Sequence, residues 1–211
     1  MINSLNLKPE DWTLIPLKDI AEIRFSSVDK KSYPGEKSVF LCNYVDVYKN
    51  DHLTGKEQFM SATATDAEIK YFSVHEGDVL ITKDSETPDD IAIPTVIMGS
   101  RNNLLCGYHL ALIRPNKAYV NSVFLAKQIE NSRLARYFGR MCNGLTRYGL
   151  STASIANAPI WLPPLSEQNE IARILQENDD AIRQTEATLS KLKLLKQGLM
   201  QDLLSGRVRV A

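Results

Sequence analysis

The tripeptide Glu68-Ile69-Lys70, with Asp46 upstream, has the residue types of a metal-dependent nuclease core, in which carboxylates hold a divalent ion that activates water. That pattern is common in a chain that is 24% charged. His52, His75 and His109 are not spaced as metal ligands, and solvated or structural histidines are the default reading. Cys42, Cys106 and Cys142 are odd in number and form no Cys-x-x-Cys pair, which predicts a reduced, cytoplasmic chain with buried thiols. No catalytic set emerges, and a non-enzymatic protein is expected.

The other chemistry on offer is recognition of nucleic acid. The net charge of zero hides a segregated distribution. Residues 1–90 carry a net charge of −7, residues 91–165 a net of +7, and residues 166–211 balance. The basic middle is either a phosphate-facing surface or the internal partner of the acidic first ninety residues. Reading bases requires Arg, Lys, Asn, Gln, Ser or Thr at base edges while others hold phosphates. Four polar stretches qualify. Lys30, Lys31 and Tyr33 form an early basic turn, and Lys83 and Ser85 follow an apolar run. Ser100, Arg101, Asn102 and Asn103 form a polar turn, and Asn143, Thr146, Arg147 and Tyr148 lie in a late loop. For any one of them, an ordinary surface position is an equal reading.

These residues need a scaffold. Short apolar runs over 21–25, 38–42, 79–82, 91–98 and 104–113 predict strands, several of them rich in β-branched residues. Tyr33-Pro34-Gly35, Glu76-Gly77-Asp78, Pro88-Asp89-Asp90 and Pro115-Asn116 mark the turns between them. Helical spacing of Phe124, Leu125, Ile129, Leu134, Tyr137 and Phe138 predicts one or two helices over 121–140, capped by Asn121 or Ser122 and ending near Gly139. Residues 143–154 read as a polar loop. No apolar run approaches the ~20 residues of a membrane span, and the first twelve residues lack the pattern of a signal peptide. The expected fold class is α+β: a mixed globular domain over 1–163, then a single long helix with a short tail over 164–211.

From Ser166 to Leu204 there is no proline and one glycine, Gly198. Ser166 is the expected N-cap, and Gly206 the expected closure. A stripe with alternating steps of three and four runs Leu175, Asn178, Ile182, Thr185, Leu189, Leu192, Lys196, Leu199, Leu203. That is a coiled-coil seam with polar interruptions, which fix register at a cost in stability. Residues 166–186 carry a net charge of −4 and residues 187–211 a net of +4. Parallel pairing would set like charges together at both ends, so an antiparallel pair is expected, with Thr185 near its midpoint. The helix lying back on its own domain is the alternative.

The sequence LPPLSEQNEIARIL over 162–175, followed by KLKLLKQGLMQDLLSGRVRV over 191–210, resembles the helical region of type I restriction-modification specificity subunits. Pro163, Pro164, Leu165, Glu167 and Gln168 match its start. Gly198, Leu199, Leu203, Leu204, Gly206, Arg209 and Val210 match its end. Trp12 to Ile23, Gly77-Asp78-Val79-Leu80-Ile81 and Arg147-Tyr148-Gly149-Leu150-Ser151 are similar to segments of that family's target recognition domain, which places Tyr148 equally in a structural loop. The resemblance implies a DNA specificity subunit that docks a methyltransferase (M) subunit and a restriction/translocase (R) subunit. It implies no cofactor in this chain, with S-adenosylmethionine, ATP and magnesium on the partner subunits. The Asn/Asp-Pro-Pro-aromatic motif and glycine-rich loop of the methyltransferase partner are not in the sequence. Family members usually carry two recognition domains and two helices, whereas these residues hold one of each. A homodimer would then imitate a full subunit and read an interrupted inverted repeat in double-stranded DNA. A coiled-coil adaptor that never touches DNA is the competing class.

Overall fold

In a computed structural model, which describes residues 11–99 and 101–210, the chain is α+β and divides into two compact units, Met1–Asn169 and Glu170–Ala211. The elements run β1 (Thr13–Pro16), β2 (Ala21–Phe25), β3 (Lys37–Cys42), α1 (Tyr44–Tyr48), β4 (His52–Leu53), β5 (Met60–Ala64), α2 (Asp66–Phe72), β6 (Val79–Thr82) and β7 (Asp84–Ser85). They continue with β8 (Pro94–Ile97), β9 (Leu104–Cys106), β10 (Leu110–Pro115), α3 (Ser122–Glu130), α4 (Ser132–Met141), β11 (Tyr148–Gly149), α5 (Thr152–Ala156), β12 (Pro159–Leu162) and α6 (Leu165–Leu204). The signal-peptide reading of the N-terminus falls almost wholly outside the described residues, as does Ser100. Among the described residues no helix is long and apolar enough to cross a membrane.

A five-stranded sheet in the order β2-β10-β6-β8-β4 forms the centre of the first unit. Strands β6 and β10 are buried nearly throughout, and for that reason they read as continuous apolar runs rather than alternating ones. A three-stranded sheet, β5-β3-β9, shares the core with it. Successive residues of a strand face opposite sides, and β3 and β9 use both. Cys42, Leu104 and Cys106 join Leu80, Leu110 and Leu112 in one cluster. Val39, Leu41 and Leu105 join Ala62, Ala64 and Phe72 in the other.

Several boundaries differ from expectation. The run over 104–113 is two strands in different sheets, with the chain turning where the Gly107 amide donates to the Cys42 carbonyl at 2.9 Å. A buried apolar run looks the same whether it stays in one sheet or crosses to another. The strand expected over 91–98 is confined to 94–97, because Ala92 adopts φ 62 and breaks the extension. The helical stretch over 121–140 is two helices, ending at Met141. Asn131 separates them, and its side chain accepts from the Arg133 amide to cap the second. Asn121 caps the first, accepting from the amides of Val123 and Phe124. The polar loop over 143–154 contains β11 and the start of α5. Cys42 and Cys106 are buried, which pushes both thiols up, while Cys142 is only half-buried, so one of the three expected buried thiols is not one.

The long helix spans 40 residues, roughly 60 Å at the α-helical rise. Ser166 is not its N-cap. The helix starts at Leu165, and the Pro164 carbonyl accepts the Gln168 amide at 3.1 Å, which places Ser166 inside the first turn. Its first turn belongs to the globular unit. Glu167 accepts the Trp12 indole N–H at 3.2 Å, and Gln168 is fully buried. At the other end Gly206 takes φ 72 and its amide donates to the Leu203 carbonyl, as expected of a C-terminal glycine. All six apolar seam positions are exposed in the single chain: Leu175, Ile182, Leu189, Leu192, Leu199 and Leu203. Asn178 and Thr185 bond back to the carbonyls of Ile174 and Ala181.

Candidate nucleic-acid interface

The carboxylates of the nuclease alternative are engaged in backbone capping. Glu68 accepts the Thr65 amide at 3.0 Å and Asp46 accepts the Asn43 amide at 2.7 Å, so each closes the start of a different helix. Among the described residues no cluster of His, Cys, Asp or Glu has a metal-binding arrangement.

Much of the basic middle is used internally. Arg114 grips buried Asp78 with two bonds of 2.8 Å. Arg101 lies 3.7 Å from the centre of the Phe40 ring and donates to the carbonyls of Gly55 and Glu57. It packs against Phe40 and pins the 55–57 loop through Nη1; Asn102 and Asn103 beside it remain exposed, and the Asn103 carbonyl accepts the Phe40 amide. Arg133 lies over Trp161 at 5.2 Å. Arg140 and Arg147 remain exposed and form no ion pair among the described residues.

Three of the sequence candidates meet in one place. Lys30, Ser85 and Arg147 line a cleft of about 520 Å³. Tyr148 adjoins it through the β7–β11 ladder, where it pairs with Ser85. Tyr44 and Tyr48 of α1 form another wall, stacked at 5.4 Å between ring centres and 17° between planes. Asp84, Glu86, Thr87, Asp90 and His109 supply the remaining polar groups. A smaller recess of about 170 Å³ shares Lys30, Tyr44 and His109. Tyr33 reaches its edge by donating from its hydroxyl to Asp29 at 3.2 Å, and Lys31 bonds the same carboxylate through its amide.

Within the cleft some groups are committed. Asp84 takes the Lys83 ammonium at 3.0 Å and the His109 Nδ1 at 2.9 Å. Lys83 is itself buried, 4.7 Å from the Tyr108 ring centre, and is therefore a structural cation and not a free donor. Tyr48 donates to Asp90 at 2.8 Å, which pushes its hydroxyl pKa up, while burial and then Asp90 do the same for Tyr44. The single hydroxyl proton of Tyr48 is thereby committed to Asp90. Sequence reasoning missed the Tyr44–Tyr48 pair, although aromatic residues four apart on a helix are a legible signal.

The loop that presents Arg147 is braced at its base. Asn143 and Gly149 exchange two backbone bonds of 3.0 and 2.9 Å, and Thr146 is exposed between them. The Asn143 side chain turns back to the Met141 carbonyl and is occupied there. Gly144 sits at φ 153, where a Cβ would lie 1.9 Å from the Arg147 carbonyl oxygen. Gly144→Ala is expected to push this turn open at a cost of about 1 kcal/mol or more. Amide exchange at Gly149 should accelerate in the variant; unchanged protection there would contradict this account of the turn.

Residues 9–194 match the family described as the type I restriction modification DNA specificity domain. A putative type I restriction enzyme MjaX specificity subunit from Methanocaldococcus jannaschii is 25% identical over 205 residues, covering 92% of this chain and 46% of that protein. A chain from a structural study of complex assembly and conformational transition of the type I R-M system superposes with a TM-score of 0.63 at 18% identity, over 95% of this chain and 47% of that one. The HsdS subunit from Thermoanaerobacter tengcongensis gives a TM-score of 0.56 at 18% identity, over 95% and 46%. The chain therefore spans about half the length of the relatives it matches.

Proposed function

We propose, from the premise that the chain belongs to the type I restriction modification DNA specificity domain family, that it is the sequence-reading component of a type I restriction-modification system. It contributes no chemistry of its own. Its globular unit reads one half-site of double-stranded DNA. The family match across residues 9–194 carries this reading, and a cleft lined by Lys30, Arg147 and carboxylates, with Arg147 in no ion pair among the described residues, supports it.

Two copies pair through α6 as an antiparallel homodimer and read an interrupted inverted repeat. The exposed seam leucines and the opposite charge of the two helix halves support that arrangement. The helical region also docks a methyltransferase subunit and a restriction/translocase subunit, which bring S-adenosylmethionine, ATP and magnesium, and the assembly works in the cytoplasm.

Mobility shift on random-sequence duplexes, with and without the methyltransferase subunit, tests the function. Affinity should fall steeply as salt rises, because bound phosphates release counterions, and selection should enrich a defined sequence. An adaptor that never touches DNA would do neither. Solution mass tests the dimer, since a species of 23.7 kDa would overturn it. Thr185→Cys should crosslink two copies, whereas Leu203→Cys should not; the reverse pattern would indicate a parallel pair.

A further inference from the structure

The β7–β11 ladder is two residue pairs long. Tyr148 pairs with Ser85 and Gly149 with Asp84, antiparallel. Glu86 follows β7 and Arg147 precedes β11, each in a bend at the same end of that ladder. Both residues line the cleft and both are exposed. These two form no ion pair, and neither has another side-chain partner among the described residues. The other carboxylates of the cleft are taken, Asp84 by Lys83 and His109, Asp90 by Tyr48. The cleft therefore offers one guanidinium fork and one carboxylate in its lining, both without a side-chain partner among the described residues.

We infer that this pair reads a single guanine–cytosine base pair from the major groove, Arg147 donating to guanine and Glu86 accepting from cytosine. The inference rests on the proposed function, in that duplex DNA must be the ligand. In the major groove guanine presents two acceptors, O6 and N7, which a guanidinium meets with two parallel bonds, while cytosine presents the N4 amino donor, which a carboxylate accepts. An adenine–thymine pair presents a donor between two acceptors and cannot satisfy the fork and the carboxylate together. Position supports the assignment as well as chemistry. The backbone that carries Arg147 is braced by the Asn143–Gly149 bridge and the ladder, and the backbone before Glu86 by the ladder. A rigid platform keeps the ordering cost of such contacts low.

The test is selection from a randomised duplex library by the full chain, alone and with the methyltransferase subunit, for the unmodified protein, Arg147→Ala and Glu86→Ala. The unmodified protein should enrich a motif with a guanine–cytosine pair at one position of each half-site. Each variant should lose preference at that position by roughly tenfold or more and keep its preference elsewhere. Arg147→Ala alone should also weaken binding to random duplexes. Melting temperatures of both variants should match the parent, since both side chains are exposed. If Arg147→Ala lowers affinity for all sequences equally with the motif intact, Arg147 contacts a phosphate and the inference fails. If both variants retain the full motif, the inference fails while the proposed function stands. If the unmodified protein enriches no motif in either form, the proposed function fails and this inference falls with it. The exchange Arg147→Glu with Glu86→Arg separates a surface ion pair from a reader: an unchanged motif in the double variant overturns the inference.

Discussion

Asp78→Asn is expected to destabilise the globular unit by about 2–3 kcal/mol, lowering its melting temperature by roughly 5–10 °C. Asp78 is only 2% exposed, and its carboxylate meets Arg114 through both oxygens while also accepting the His75 amide at 2.7 Å. Arg114 donates in addition to the Ser73 carbonyl at 2.9 Å. One ion pair thus ties the loop before β6 to the end of β10. Removing one partner of a buried pair strands the other charge and costs ~3–5 kcal/mol. The Arg114 side chain is 25% exposed, so water relieves part of that penalty and the lower figure applies. Replacing both partners, Asp78→Leu with Arg114→Met, should cost less than Asp78→Asn alone, because no charge is left stranded. Thermal or urea unfolding of the single and double variants checks both statements. A shift below 2 °C for Asp78→Asn would mean that the pair is peripheral to stability.

Gln168→Leu is expected to cost about 2–3 kcal/mol, from orphaned backbone groups whose individual penalty is ~1–3 kcal/mol. Gln168 is fully buried and makes three bonds. Its Oε1 accepts the Asn121 amide at 3.0 Å, and its Nε2 donates to the carbonyls of Tyr119 and Pro163 at 3.0 and 2.9 Å. Leucine fills similar space and makes none of them. Because Asn121 also caps α3, losing its tether should loosen that helix start. Amide exchange at Val123 and Phe124 should therefore rise in the variant along with the drop in melting temperature. A melting temperature within 1 °C of the parent, with α3 still protected, would show that water replaces the amide at no cost.

These two residues also explain motifs that had only a resemblance behind them. The Gly77-Asp78 segment is an ion-pair anchor, and the Glu-Gln that begins the helical region is a pair of staples. Glu167 holds the Trp12 indole, and Gln168 holds the turn before α3. Neither role was visible in the chain, since the partners of each residue lie far away in sequence. The strands over 21–25 and 79–82 were legible because their apolar runs end at turn residues. The junction at Gly107 was not, because buried residues of two sheets follow one another without a change in composition.

By itself the sequence determined the family, through the motifs at both ends of the long helix, and the helix itself, through an uninterrupted helical pattern over its 40 residues. Those signals are local, carried by spacing and by the absence of breakers. It also proposed thirteen residues for reading DNA without being able to rank them. Only the tertiary structure ranked them. Stacking on Phe40 occupied Arg101, and burial against Tyr108 occupied Lys83. The β7–β11 pairing brought Arg147 and Glu86 into the lining of one cleft with the tyrosine pair of α1. Whether a polar side chain is spent or available depends on partners supplied by long-range pairing, and those are fixed only when the sheets close around a shared core.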